Sequence, residues 1–177
     1  LRKEFFKIAG YVLGAGIISQ ASMIAVPAQV PNPATGHGYQ RIVSLAPNIT
    51  EILFSLGLDE EIVGVSIHCN FPEKAKTKVR VGSYISLDFE RIVSLKPDLI
   101  IATGAGNTRD MVERLGKLGF PTYVIFPKNF SDVLRSISHL SQVVNREEEG
   151  MRIIQAMKRR RQRVVELTQG LPRPKVF

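Results

Sequence analysis

The chain has 177 residues, 44% hydrophobic and 23% charged, a balance that excludes a disordered protein and allows one globular domain with a buried core. Lys and Arg outnumber Asp and Glu by 24 to 16, and the resulting charge of +8 is compatible with anionic partners or with a solvated basic face. The only cysteine, Cys69, excludes an intrachain disulfide.

The first 28 residues have the layout of an export signal. Basic residues precede an apolar run over residues 8–18, and small residues lead to a predicted cleavage after Ala28. The run is shorter than a typical membrane span, but an uncleaved signal anchor is the alternative. Arg2 and Lys3 leave the twin-arginine route open beside the general one. We expect an exported protein whose residues 29–39, rich in Pro, Gly, Asn and Thr, form a flexible leader.

From residue 40 onward, short apolar strands alternate with amphipathic helices. Strands are predicted at residues 42–45, 62–65, 99–102 and 122–126. The second and third are apolar on both faces, which is typical of a parallel sheet covered by helices above and below. The predicted fold class is α/β: a parallel-sheet, Rossmann-like lobe over residues 40–145, with its ligand-facing loops at the carboxyl ends of the strands.

Capping residues predict where the helices begin. Caps are expected at Asn48, with Glu51 completing a capping box, at Asn107 or Thr108, and at Ser131. Gly57 and Gly119 are placed to end the first and third helices. A long helix with a partial apolar stripe is predicted over residues 146–168.

The segment Arg-Ile-Val-Ser-Leu occurs twice, at residues 41–45 and 91–95. The first copy is followed by a predicted helix and is itself a predicted strand. In the second copy, Phe89, Ile92 and Val93 fall at helical spacing, and Pro97 stops the segment before the next strand. Because the surroundings differ, we infer two different structures and no internal repeat.

Several motifs follow one another between residues 41 and 103. The two copies of Arg-Ile-Val-Ser-Leu-x-Pro bracket His-Cys-Asn-Phe-Pro at 68–72 and Val-Gly-Ser-Tyr at 81–84. Together they resemble the N-terminal lobe of helical-backbone substrate-binding proteins of ABC importers, in the cobalamin-binding and iron-siderophore-binding branch. The resemblance implies an interlobe backbone helix at residues 146–170, the start of a second lobe at 171–177, and hence a fragment whose second lobe is absent.

The loops after the strands carry the candidate ligand-binding residues. In the resembled family, the loop at His68 and the later Ser83-Tyr84 segment line the ligand cleft, although relatives carry an aromatic where this chain has His68. Aromatic walls with a few polar anchors suit a large metal chelate. In a third loop, residues 103–107, backbone amides could bind a carboxylate, phosphate or amide oxygen. The candidates are His68, Cys69, Asn70, Phe71, Ser83, Tyr84, Gly104, Ala105, Gly106 and Asn107. Loop packing for the aromatics and a plain turn for the glycines are the alternatives.

Other site classes have little support in the sequence. His37, His68 and His139 are too scattered for a three-histidine metal site, so no metal site and no intrinsic cofactor are expected. The metal would arrive inside a transported cobalt or iron chelate, which His68 could approach as an axial ligand. We find no nucleophile elbow, P-loop or zinc-helix motif, so an enzyme is not expected.

The resemblance implies an exported substrate-capture subunit, expected to be monomeric. It would bind cobalamin, another corrinoid or a ferric siderophore and deliver it to ABC permease subunits, with Glu90 pairing with arginines of the permease. An α/β enzyme or binding module for a nucleotide-like or phosphorylated molecule, using Gly104–Asn107, is the alternative. A nucleic-acid module would use the basic run at 158–163. Export argues against both, and no nucleic-acid partner is expected.

Overall fold

The computed structural model describes residues 38–172, and its centre is a five-stranded parallel sheet. The strands are β1 (Ile42–Ser44), β2 (Ile62–Val65), β3 (Val79–Arg80), β4 (Gly82–Ser83), β5 (Ser86–Leu87), β6 (Leu99–Thr103) and β7 (Thr122–Ile125). The helices are α1 (Pro47–Ser55), α2 (Phe89–Leu95), α3 (Arg109–Lys117), α4 (Phe130–Val143) and α5 (Glu147–Thr168), and a 3-10 helix covers Glu73–Thr77. The sheet order is β3-β2-β1-β6-β7, and β4 and β5 form a separate antiparallel hairpin.

The predicted α/β class and all four predicted strands are confirmed, with ends that differ by at most one residue. Strand β1 is central, with Ser44 opposite Val65 of β2 and Ile101 of β6. Strands β3, β4 and β5 were not predicted, because two-residue strands are too short to show an alternating pattern.

Two apolar clusters cover the two faces of the sheet. One contains Ile42 with the inward side chains of α1, and the other contains Val43 and Leu45 with Ile92 of α2. Successive residues of β1 therefore point to opposite cores, as the two-residue period of a strand requires. Burial on both faces explains why the strand sequences are almost entirely apolar.

The two copies of Arg-Ile-Val-Ser-Leu adopt the two predicted structures, β1 and the larger part of α2. They are also bonded to each other. Nε and Nη2 of Arg41 donate to the carbonyl of Leu95, at 2.9 and 2.7 Å, where α2 ends. The Asp98 carboxylate accepts hydrogen bonds from the backbone N–H groups of Gln40 and Arg41, which fixes the entry to β1.

Two of the predicted helix caps are wrong. Helix α1 begins at Pro47, one residue before the expected cap Asn48, and Ala46 is its N-cap. Proline suits the first helical position because its missing N–H would have no partner there. Helix α4 is capped by Asn129, whose Oδ1 accepts from the N–H of Asp132, so Ser131 lies inside the first turn.

The other predicted helix ends agree with the structure. Thr108 caps α3 by accepting from the N–H of Met111. Gly57 and Gly119 follow α1 and α3 with φ of +76° and +84°, a left-handed conformation that glycine adopts without a Cβ clash.

Helix α5, 22 residues long, packs its first half against α4. A Cβ on Gly150 would collide with Ser141 of α4, so the glycine allows the two helices to approach closely. Beyond that contact the side chains from Lys158 to Leu167 are exposed. The predicted long helix is thus confirmed, starting one residue later than expected.

The predicted export signal and the last five residues lie outside the described residues. Tyr39, the last residue of the predicted leader, is buried in the core beside Ile42, so the packed structure includes at least this residue of the predicted leader. No helix within residues 38–172 is both long enough and apolar enough to cross a bilayer.

Candidate ligand-binding face

Parallel pairing brings the carboxyl ends of three strands to one edge of the sheet. Strands β2, β1 and β6 are neighbours, so the loops that follow Val65, Ser44 and Thr103 leave the sheet side by side. The β4–β5 hairpin joins them, because the N–H of Ile67 donates to the carbonyl of Gly82 at 2.9 Å. We call this surface the strand-end face: residues 66–71, 82–87, 104–107 and 126–128.

Tyr84 is the residue at which the predicted loops meet. Its ring centroid lies 5.4 Å from that of His68, with 50° between the ring planes. On its other side, a Cβ built on Gly106 would lie 2.6 Å from Cδ2 of Tyr84, so only glycine allows this approach. The segments around His68, Tyr84 and Asn107 therefore lie next to one another at this edge of the sheet.

Asn107 fixes the position of Tyr84 by a hydrogen bond to its backbone. Its Nδ2 donates to the carbonyl of Tyr84 at 3.0 Å, and its Oδ1 accepts from the N–H of Thr103 at 2.9 Å. The residue is buried, and these bonds direct its amide into the protein. Asn107 thus ties the hairpin to the loop after β6, whereas the sequence had suggested that it faces the ligand.

Cys69 lies in the core, which corrects its prediction as a ligand contact. Its side chain is fully buried, and its sulfur accepts a hydrogen bond from Oγ1 of Thr50 at 3.2 Å. Oγ of Ser66 lies 3.4 Å from the same sulfur, and Oγ of Ser44 lies 2.7 Å from Oγ1 of Thr50. This polar network supports the loop from inside and leaves His68 and Asn70, on either side of Cys69, exposed.

The backbone N–H groups of residues 104–107 already donate hydrogen bonds within the protein. The predicted anion-binding loop is therefore wrong in this conformation. The N–H of Gly104 donates to the carbonyl of Ile125, and those of Gly106 and Asn107 donate to the carbonyl of Thr103. The N–H of Ala105 donates to Oγ1 of Thr103 at 3.3 Å. What Gly104 and Ala105 offer to a ligand is a small, exposed surface.

The exposed side chains of the face are mostly apolar and aromatic. Phe71 is 63% exposed and Tyr84 39% exposed, as a wall that contacts a ligand requires. Ser83 is half-buried, and its Oγ accepts from the N–H of Ser86 at 3.0 Å, which shapes the hairpin turn. The predicted residues whose side chains are available to a ligand are His68, Asn70, Phe71 and Tyr84.

Three apolar residues of the face were missed by sequence reasoning. Ile67, Ile85 and Phe126 are all more than half exposed. The ring of Phe126 covers Gly104, since a Cβ there would lie 3.1 Å from the ring, and Nζ of Lys128 lies 5.4 Å from the ring centroid. Their positions in the chain could have indicated them. Each follows the end of a strand or occupies a hairpin turn, where an apolar side chain no longer points into the core.

Two other predicted features lie on separate elements. Glu90 is exposed in the first turn of α2, which directly follows the hairpin and is capped by Asp88. The basic run 158–163 lies on the exposed half of α5, where Arg161 is 5.6 Å from the ring of Phe130. Within residues 38–172, no three His, Cys, Asp or Glu side chains are grouped so that they could hold a metal ion.

Comparison with known proteins identifies the family. The chain matches the family described as periplasmic binding protein over residues 42–177. The chain belongs to this family. A vitamin B12-binding protein of Vibrio vulnificus is 34% identical over 138 residues, which cover 78% of this chain and 50% of that protein. This chain therefore spans about half the length of the curated relatives it matches.

Solved structures of the family share this fold. The periplasmic vitamin B12-binding protein BtuF of Vibrio cholerae matches with a TM-score of 0.69 and 33% identity, over 76% of this chain and 52% of that one. The periplasmic heme-binding protein RhuT of Roseiflexus matches with a TM-score of 0.71 and 28% identity, over 77% and 53%. The predicted resemblance and the α/β lobe are thus confirmed.

Membership in the periplasmic binding protein family also settles the broad class. The family consists of substrate-binding proteins and not of enzymes, which confirms the expectation that this chain has no catalytic role. It also implies a periplasmic location.

Proposed function

We propose that this chain provides one wall of a cleft that captures a metal chelate, most simply cobalamin or another corrinoid, for an ABC importer. The observation that carries the proposal is the exposed aromatic surface around the paired His68 and Tyr84 rings at the ends of the parallel strands. In open α/β sheets this edge is where ligands bind. The vitamin B12-binding relatives support this choice of ligand.

The apolar area of the strand-end face predicts that a ligand in contact with this face alone would bind weakly. Covering about 100 Å² on each of the rings of Phe71, Tyr84 and Phe126 would contribute about 7.5 kcal/mol at 25 cal/mol per Å². Association costs about 4–15 kcal/mol in lost translational and rotational freedom. One wall therefore gives at most a small surplus, and tight capture would need a second wall on the opposite side of the ligand.

A ferric chelate, such as a siderophore or haem, is the second candidate ligand. The heme-binding relative has the same fold at a TM-score of 0.71, and an apolar wall does not distinguish one large chelate from another. In either case the metal belongs to the cargo, and His68 and Asn70 would anchor polar groups at its edge. An intrinsic cofactor has no role in this proposal.

The direct test compares two aromatic residues of similar exposure. Tyr84 is 39% exposed on the strand-end face, and Phe130 is 36% exposed at the start of α4. Cyanocobalamin and hemin binding would be measured by equilibrium dialysis. We expect Tyr84→Ala to weaken the affinity about tenfold, which corresponds to about 1.4 kcal/mol, and Phe130→Ala to change it less than about twofold. Equal effects of the two substitutions would refute the proposed face.

Delivery to a permease would use Glu90, which is exposed in the first turn of α2. Charges on the rim of an interface mainly change orientation and association rate. Glu147, exposed in the first turn of α5, is a matched control because it is also an exposed glutamate near the start of its helix. Glu90→Gln should slow association with permease in liposomes about tenfold, whereas Glu147→Gln should leave the rate unchanged. No difference between the two would remove Glu90 from the docking site.

Two other classes of function have distinct outcomes. A phosphate-binding enzyme or module would need free amides in residues 104–107, and their internal hydrogen bonds argue against it. Inorganic phosphate should therefore not raise the melting temperature. Nucleic-acid binding through residues 158–163 would appear as salt-dependent retention of DNA, which we do not expect.

A further inference from the structure

Arg80, at the end of strand β3, holds the turn that carries His68. Its Nη1 donates to the carbonyl of Ser66 at 3.0 Å and to that of Cys69 at 2.7 Å, the two ends of the turn. Its Nη2 donates to the carbonyl of Lys76 at 3.3 Å, in the following 3-10 helix. One guanidinium thus joins both ends of the turn to the segment that follows it.

Other hydrogen bonds also hold the turn: the N–H of Ser66 donates to the carbonyl of Ser44 at 3.0 Å, that of Ile67 to the carbonyl of Gly82 at 2.9 Å, and Sγ of Cys69 accepts from Oγ1 of Thr50. The N–H of Cys69 donates to the carbonyl of Ser66 at 3.1 Å, and Oγ of Ser66 accepts from the N–H of His68 at 3.4 Å. The ends of the turn are buried, whereas Ile67 and His68 between them are exposed. The position of the His68 ring therefore depends on how firmly its two ends are held.

Arg80 does not act as a surface ion pair. All hydrogen bonds of its side chain within residues 38–172 go to main-chain carbonyls, and none of the salt bridges found in that range includes it. A planar guanidinium can reach three separated acceptors, which the single ammonium of a lysine cannot do in the same geometry. The role depends on the shape of the group as well as on its charge.

We propose that Arg80 is a positioning residue for the strand-end face. By fixing the ends of turn 66–69, it sets the His68 ring against Tyr84, and through His68 it sets the affinity for the chelate without touching it. This role rests on the proposed function, but its structural part can be measured without any ligand.

The first experiment measures amide hydrogen exchange in the full 177-residue chain without ligand. We expect Arg80→Ala to speed exchange of the Ile67 and Cys69 amides about tenfold, and Arg80→Lys to have a smaller effect because it keeps the charge but not the fork. Arg91→Ala, which removes another arginine, is the control and should leave these amides unchanged. If Arg80→Ala does not fold, the exchange rates of the same amides in Arg80→Lys provide the test. Unchanged exchange in a folded Arg80 variant would overturn the proposal.

The second experiment is a double-mutant cycle with His68, using cyanocobalamin or hemin, whichever the unmodified chain binds more tightly. Arg80→Ala should weaken binding about tenfold when His68 is present and less than about twofold in the His68→Ala background. An equal loss in both backgrounds would indicate general destabilisation and overturn the positioning role. If the unmodified chain binds neither probe, the proposed function fails, while the exchange measurement still decides whether Arg80 fixes the turn.

Discussion

Residues 41–45 and 91–95 share the sequence Arg-Ile-Val-Ser-Leu, yet the first forms strand β1 and the second lies in helix α2. In the strand, Ile42 enters one core and Val43 the other. In the helix, Ile92 reaches the second of these cores, with Leu95 packed at its edge, and Val93 is exposed. The same five side chains are therefore used in two ways.

The flanking residues, and not the five shared ones, account for the difference. Asp88 caps α2 by accepting from the N–H of Arg91, and Lys96 ends it with φ of 46° just before Pro97. The first copy, residues 41–45, has no such cap. The next helix, α1, starts at Pro47, after the copy has ended. The proposed function would separate the copies as well: β1 ends at the edge of the sheet that carries the strand-end face, whereas α2 carries Glu90, the proposed docking residue.

The leucines should show the largest difference between the two copies. Leu45 is fully buried in the apolar cluster that contains Ile92 of α2, and Leu95 is half-buried at the edge of the same cluster. We expect Leu45→Ala to lower the free energy of unfolding by about 3 kcal/mol and Leu95→Ala by about 1 kcal/mol, because the buried site leaves a larger cavity. Urea denaturation measures both. Equal losses would mean that the two copies contribute equally to the core.

The two arginine substitutions should differ less in their effect on stability than the two leucine substitutions. Arg41 donates two hydrogen bonds to the last helical carbonyl of α2, whereas Nε of Arg91 lies 3.5 Å from the exposed carboxylate of Asp88. Arg41→Ala should cost about 1.5 kcal/mol through the lost charged hydrogen bonds, and Arg91→Ala less than about 0.5 kcal/mol. Thermal unfolding of the pair tests this difference. A larger loss for Arg91 would contradict the tie between β1 and α2.

The two serine substitutions should change the stability of the fold in opposite directions. Ser44 is buried, and its hydroxyl shares a hydrogen bond with Thr50, so Ser44→Ala should destabilise the fold by about 1 kcal/mol. Ser94 is exposed in a helix, where alanine has the higher propensity, so Ser94→Ala should stabilise by about 0.3 kcal/mol. Destabilisation of similar size at both positions would show that the hydroxyls have equivalent roles.

Much of the fold could be predicted because long apolar patterns determine it. The four main strands and the two structures of the repeated segment follow from periodicity and from Pro97. The caps were less predictable. Asn48 follows a proline that is better suited to the first helical turn. Asn129 and Ser131 are both good capping residues, and the path of the chain from β7 decides between them.

The site was predicted in position more than in detail. His68 and Tyr84 lie together, as the resemblance implied, although the hairpin that carries Tyr84 was not predicted. Cys69 and Asn107 turn inward to support those loops, which depends on hydrogen bonds that no local pattern shows. Phe126 was predicted as a strand residue and instead covers Gly104. Sequence identifies the loops, but side-chain direction needs the tertiary structure.

The most direct test of the ligand-binding face is a titration of the ¹⁵N-labelled chain with cyanocobalamin, followed by NMR. We expect amide shift changes clustered at residues 67–71, 83–85 and 104–106, with a Kd of about 1 mM, or about 4 kcal/mol, as one wall should give. Shift changes confined to residues 158–163, or none at the strand-end face at millimolar ligand, would contradict the account.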